Sequence, residues 1–220
     1  METYSLKELL ELTKPWALSP IPGPTHEKPE SLYHKVFGVR EVPDLGILST
    51  SLSNTNELIV QRTWGLLDDG KYYGGKFTFH EYQRVGSKLA GFAVHLAITF
   101  GLLALTFSPF RWLLKQLVYS PGQGAPKESH KDELLEIRAV AVADQDVPRP
   151  QKVLSRFRWD GGIYYLTGLL LAEAAMVILR DDTLAEELGG GILTPAMLGQ
   201  PYIDRLKDAG VTVEAELIPH

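Results

Sequence analysis

The sequence predicts an α+β fold, an antiparallel or mixed sheet with helices on one face, and three observations predict it. Segments that alternate apolar and polar residues recur along the chain, as in Val211–Leu217, without the regular strand–helix–strand spacing of a parallel sheet. Long helical patterns stand between them, at 89–107 and 163–179. Glycine and proline clusters punctuate the joins.

Taken in order, Ser5 lies three residues before Glu8, the spacing of a capping box. Leu6, Leu9, Leu10 and Leu12 form the apolar face of a short helix that Lys14-Pro15 ends. So narrow a stripe needs a surface to pack on, and residues 1–14 are expected to be the remnant of an upstream domain. Pro15, Pro20, Pro22, Pro24 and Pro29, with Gly23, predict an irregular linker, taken to span 15–45. An α+β domain is expected over 46–220, interrupted by a hydrophobic insertion at 85–119.

Glu57–Leu67 is rich in β-branched and apolar residues and predicts a strand. Asp68-Asp69-Gly70 turns the chain. Lys76–Tyr82 sets Phe77, Phe79 and Glu81 against Thr78 and His80, predicting a second strand. Leu89–Phe107 is an uncharged apolar run, roughly 28 Å long as a helix. Ser108-Pro109 breaks it, and Phe110–Val118 predicts a short amphipathic helix with Arg111 and Lys115 exposed. After a polar loop, 134–143 and 152–159 predict an antiparallel hairpin joined through Asp144–Pro150. Asp160-Gly161-Gly162 opens the helix of 163–179. Thr194-Pro195 is the expected N-cap and first residue of a helix reaching Ala209, closed by Gly210. Val211–Leu217 is the last strand, and no internal repeat is visible.

Composition excludes several classes. The 220 residues are 45% apolar and 22% charged with a net charge of −5, which suits a globular protein and gives nucleic acid no basic surface. With no cysteine, the chain has no disulfide, thiolate nucleophile or zinc–thiolate site. The histidines His26, His34, His80, His95, His130 and His220 show no helical ligand spacing, so no metal is expected.

The apolar run admits three readings: a buried core helix, a membrane-spanning helix, or an element dipping into one leaflet. Its length and the basic residues at both ends favour contact with lipid, and the break at Pro109 before an amphipathic helix favours the monotopic form. Leu89, Phe92, Leu96, Ile98, Leu102, Leu105 and Trp112 are the expected membrane-contacting residues. His95, inside the run, is expected to be satisfied by a neighbouring carbonyl. Glu173, in an apolar helix, is expected to lie at a helix edge or pair with an arginine such as Arg180. Tyr164 and Tyr165, beside Gly161-Gly162, either line a substrate cleft or serve core or interface packing, and packing is the expectation. No catalytic residue is identified.

Five stretches together resemble the C-terminal part of the saccharopine dehydrogenase-like oxidoreductases, a family that includes bacterial trans-acting enoyl reductases. They are Asn54-Thr55 with the segment after it; Tyr73-Gly74 with Phe77-Thr78-Phe79 and Glu81-Tyr82; and Arg111–Lys115 with Pro121-Gly122-Gln123-Gly124. The others are Tyr165, Thr167 and Leu171-Ala172-Glu173-Ala174, then Gly190–Ala196. The resemblance covers roughly 50–217. It implies a nicotinamide-dependent hydride transfer for the full-length family, and lipid-droplet or organelle-membrane association for its eukaryotic members.

The departure from the family is equally plain. No G-x-G-x-x-G loop occurs, and the triple glycine Gly189–Gly191 follows a helix. The chain alone is therefore expected to bind no cofactor, NAD(P) being implied only for the full-length family. Its expected partners are a membrane or lipid-droplet surface and either a Rossmann domain or a second copy, in an intracellular setting. Two functions compete: the substrate-side, lipid-contacting part of such a reductase, and a non-enzymatic module that anchors or binds a partner.

Overall fold

The computed structural model describes residues 14–24, 31–52, 54–119, 122–124, 130 and 132–219. The helix expected over 1–14 lies outside them but for Lys14, as do His26, Pro29, Pro121 and His220. The fold is α+β with two three-stranded antiparallel sheets. The chain forms two compact units, Met1–Phe100 and Gly101–His220.

In the first unit the expected linker contains regular structure. Helix α1 (Leu32–Phe37) ends at Gly38, whose left-handed φ of 63° turns the chain into β1 (Val39–Val42). This strand pairs with β2 (Gly46–Ser49), which in turn pairs with β3 (Gln83–Arg84). The Pro-rich stretch before α1 is irregular yet fastened to helix α2 (Asn54–Leu66). The Trp16 N–H donates to Gln61 Oε1 at 2.6 Å, and the Trp16 and Trp64 rings meet edge-on at 4.9 Å.

Helix α2 corrects the strand expected over Glu57–Leu67. Leu58, Gln61 and Gly65 are buried at helical spacing, with Thr63 and Trp64 beside them. The buried face includes a glutamine, a threonine and a glycine, so apolar content alone misreads its period. The strand expected over Lys76–Tyr82 is also absent, and the stretch is irregular up to β3. Its polar groups are taken by side chains instead of a ladder. The Glu81 N–H donates to Glu57 Oε1, Asn56 Nδ2 donates to Glu81 Oε2, and Ser51 Oγ donates to the Glu81 carbonyl.

The apolar run forms helix α3 (Lys88–Ala104), and the amphipathic segment forms α4 (Ser108–Leu117) with Pro109 in its first turn. Gly91 lets α3 lie against the first sheet, where Ser49 Oγ donates to its carbonyl at 2.7 Å. His95 pairs with the Thr50 hydroxyl at 2.9 Å, which corrects the expected carbonyl partner. Of the described helices, only α5 (Ile163–Arg180) is long and apolar enough by itself to cross a membrane; α3 and α4 meet that criterion only as a bent pair.

The second unit is built on the sheet β4 (Leu134–Val142), β5 (Lys152–Asp160) and β6 (Thr212–Ile218), antiparallel throughout. Alternation gives it two faces. Leu135, Phe157, Trp159 and Val213 face the helices and pack on a core of Leu166, Leu206 and Val211. On the other face Arg156 Nε meets Glu136 at 2.7 Å, and Arg158 meets Asp160 at 2.6 Å. Being part-exposed, these pairs order the face more than they stabilise it.

Beyond α5, Thr183 caps the short helix α6 (Leu184–Glu187) by accepting from the Glu186 N–H. The expected helix from Thr194 to Ala209 is divided. A 3-10 turn, Pro195–Leu198, ends at Gly199, whose φ of 63° breaks the helical run before α7 (Gly199–Asp208). The Thr194 side chain makes no cap bond, while Gly210 closes α7 with a φ of 94°.

Candidate functional site

The β5–α5 turn holds a candidate site built from His130, Glu133, Trp159 and the paired glycines Gly161 and Gly162. The register of β4 on β5 places Leu134 opposite Asp160, so the residues just before β4 meet the turn just after β5. The backbone closes this junction, with the Gly161 N–H donating to the Glu133 carbonyl at 2.8 Å. Gly161 takes a φ of 145°, and a Cβ there would lie 3.1 Å from Trp159 Nε1. A Cβ on Gly162 would lie 3.0 Å from His130 Cβ. The paired glycines therefore let His130 and Trp159 close on the turn.

Glu133 serves two groups. One carboxylate oxygen is hydrogen-bonded to His130 Nδ1, and the other accepts the Ile163 N–H at 3.0 Å, in the first turn of α5. The His130 bond first, and the Ile163 N–H second, hold the Glu133 carboxyl below its ordinary value of 4.5. An ionised carboxylate on Nδ1 places a proton there and leaves Nε2 as the nitrogen available to a ligand. His130 Nε2 and Trp159 Nε1 are both buried with no hydrogen-bond partner.

A carboxyl held low in the folded state stabilises it above the ordinary value and loses that contribution as pH falls through the lowered one. The Ile163 amide resonance is therefore expected to titrate below pH 4.5 in the native chain and to stay flat in Glu133→Gln, as followed by NMR. A flat native profile would mean that Glu133 does not cap α5.

Beside this pair lies an open-sided cleft of about 710 Å³, within the size range of small-molecule sites. Tyr165, Gly168, Leu169 and Ala172 line it from α5 at helical spacing, and Trp159 and Tyr164 complete its aromatic part. Tyr164 is 73% exposed, and its ring stands edge-on to His130 at 5.7 Å. The two tyrosines thus line a cleft and do not fill the core. His130 had no sequence signal beyond its spacing of three from Glu133, because only the strand register brings it to the glycine turn.

The other candidate residues fall elsewhere. Glu173 accepts from Arg205 Nε at 2.7 Å, which makes Arg205 of α7 its partner in place of Arg180. Nearby, Tyr202 donates to the Leu170 carbonyl, and burial, with Glu173 close by, pushes its phenol up. The His80 side chain lies 3.8 Å from Glu57, while the Glu81 carboxylate accepts from Asn56, so the two side chains serve different partners. Leu89, Leu102, Leu105 and Trp112 are exposed; Phe92, Leu96 and Ile98 are half-buried, Phe92 against Phe37. On α4, Phe110, Leu113 and Leu117 are exposed as well.

The strand-to-helix turn does not suit a dinucleotide. A pyrophosphate is held by free N–H groups at a helix N-terminus, and here Glu133 has already brought a carboxylate to that of α5. Gly189, Gly190 and Gly191 all take positive φ in the turn after α6 and do not open a helix from a strand. Among the described residues no group of three or more His, Asp or Glu side chains is placed to hold a metal.

Fold and site together define an α+β protein with an apolar cleft served by one imidazole–carboxylate pair. Comparison with known proteins adds that, over 217 residues and 93% of its length, the chain is 27% identical to the "Putative trans-acting enoyl reductase Rv2449c" of Mycobacterium tuberculosis H37Rv. It matches the "Putative trans-acting enoyl reductase MT2525" of strain CDC 1551 to the same extent. The match takes in 50% of each, so the chain spans about half the length of the curated relatives it matches. No family model matches the chain, and no solved structure does.

Proposed function

We propose that the chain is the substrate-side part of a nicotinamide-dependent reductase of the saccharopine dehydrogenase-like type, acting on a lipid-linked substrate. The observation that carries this reading is the likeness of nearly the whole chain to relatives named as enoyl reductases. The five resembling stretches agree with it. The dinucleotide is bound outside this sequence, by a Rossmann domain, since no G-x-G-x-x-G loop occurs and the α5 N-terminus after the Gly161-Gly162 turn carries Glu133.

Joined to the half of the mycobacterial relative that it does not match, the chain is expected to restore NADPH-dependent reduction of an enoyl thioester. The chain alone is expected to bind no NADPH at millimolar concentration in calorimetry. Micromolar NADPH binding by the chain alone would overturn this division of labour. So would a folded chimera that leaves the thioester untouched where the whole relative reduces it.

The exposed apolar residues of α3 and α4 support a second component, contact with a membrane or lipid-droplet surface inside the cell. Arg111 and Lys115 flank Trp112 on α4, the composition of a helix lying at an interface. The chain is expected to float with phospholipid vesicles, and Phe110→Asp, Leu113→Asp and Leu117→Asp together to reduce the bound fraction by more than about ten-fold. If the native chain stays with the soluble fraction, lipid contact is removed and a partner or second copy covers these residues. Anchoring without catalysis is the alternative function, and the chimera assay separates the two.

A further inference from the structure

We propose that α5 pairs antiparallel with the α5 of a second copy of this chain, and that the second helix closes the open side of the cleft. Of the 18 residues of α5 only Leu166 and Val177 are buried, and the opposite face is exposed along its whole length. That face keeps a seven-residue spacing. Tyr164, Leu171 and Ile178 form one row and Tyr165, Ala172 and Leu179 the next, with Gly168 and Ala175 between them. A repeat of seven is the pattern by which one helix packs along another. The cleft belongs to the same pattern. Tyr165, Gly168, Leu169 and Ala172 stand at i, i+3, i+4 and i+7, the corners of a hole that takes side chains of a facing helix.

The spacing reads the same from either end, and that selects the partner. About a two-fold axis between Leu171 and Ala172, Tyr164 of one copy meets Leu179 of the other, Tyr165 meets Ile178, and Gly168 meets Ala175. A patch that complements itself is what a two-fold contact requires, and the small residues let the axes approach to about 8 Å. Charge sets the direction. Glu173 is held by Arg205, and Arg180 is exposed at the C-terminal end of α5. Antiparallel pairing brings each Arg180 to the first turn of the other helix, beside the exposed Asp160, where parallel pairing would set like charges together. The eight residues expose on the order of 800 Å² per copy, the share that each partner of a specific interface buries. A lipid surface suits this face less well, because Asp160, Asp181 and Asp182 stand at the helix ends, where an interfacial helix carries Lys or Arg. The pairing needs neither cofactor nor substrate, so its test is separate from that of the reductase reading.

The test uses the whole chain. In sedimentation it is expected to approach twice its 24.5 kDa above about 100 μM and to run mainly as a monomer below about 1 μM, a single helix pair holding with a dissociation constant on the order of 10 μM. In the dilute range substitutions on this face act on the single chain. Leu171→Glu is therefore expected to melt with the native chain there and to stay monomeric at the higher concentration. The register is read by cross-linking, since the chain has no cysteine of its own. Ala172→Cys lies beside the axis and is expected to form a disulfide with itself under mild oxidation. Leu179→Cys is not, because its two copies stand about 22 Å apart, but it is expected to cross-link when mixed with Tyr164→Cys. A chain that remains monomeric above 100 μM would overturn the proposal, leaving the face to another protein or to lipid. So would a Leu171→Glu variant that still pairs, or Leu179→Cys linking to itself as readily as Ala172→Cys does. The variant with Phe110→Asp, Leu113→Asp and Leu117→Asp is expected to pair as the native chain does; its failure to pair would move the contact from α5 to α4.

Discussion

Leu166→Ala is expected to destabilise the second unit by about 2–5 kcal/mol, the range for emptying a fully packed leucine site. Leu166 is 3% exposed and stands at the centre of the core with Leu206 and Val211, with Leu135, Phe157 and Trp159 of the sheet packed on that cluster. Removing it leaves a gap that the rigid sheet cannot close by moving. Leu171→Ala, on an exposed face of the same helix, is the control, expected to change stability by no more than about 0.5 kcal/mol. Chemical unfolding of both variants checks this. Equal losses would mean that the buried stripe of α5 is assigned to the wrong face.

Gly38→Ala is expected to cost the first unit about 2–4 kcal/mol, combining left-handed backbone strain with a steric collision. Gly38 joins α1 to β1 at a φ of 63°, and an added Cβ would lie 2.2 Å from His95 Cγ. The near end of the His95 side chain is what it strikes, so a change of rotamer at the tip offers no relief. To restore clearance the ring must leave Thr50, taking the hydrogen bond between α3 and the first sheet with it. Gly46→Ala separates the two terms, because Gly46 has a φ of 89° but meets only Arg84 Nε at 3.7 Å. Its loss is expected to be about 1–2 kcal/mol, from strain alone. A Gly38 variant no worse than the Gly46 one, by urea unfolding, would remove the collision from the account.

The elements that sequence made legible are those whose signal is local and repeated. The apolar run and the amphipathic stretch after Pro109 became α3 and α4, and the apolar stretch after Gly162 became α5. The hairpin β4–β5 and the last strand followed from alternation bounded by turn residues. The misread elements are those in which tertiary contacts replace an apolar pattern. Helix α2 buries Gln61, Thr63 and Gly65, and Gln61 is satisfied by the backbone of Trp16, far away in sequence. The strands β1 and β2 have four residues each and are stabilised by pairing more than by composition.

Sequence by itself determined the α+β class, the order of α3, α4, β4, β5, α5 and β6, and the absence of cysteine chemistry and of a dinucleotide glycine loop. Only the tertiary structure decided where the cleft lies. Tyr164, Tyr165 and the glycine pair are visible in the chain, but His130 and Glu133 reach them only because β4 pairs with β5 in one register. A shift of that register by one residue would send every β5 side chain to the opposite face and part Trp159 from the core. Local propensity does not encode the closure of a hairpin over a helix N-terminus. The packing of the whole sheet decides it, and with it which histidine, among several that look alike in sequence, stands beside the cleft.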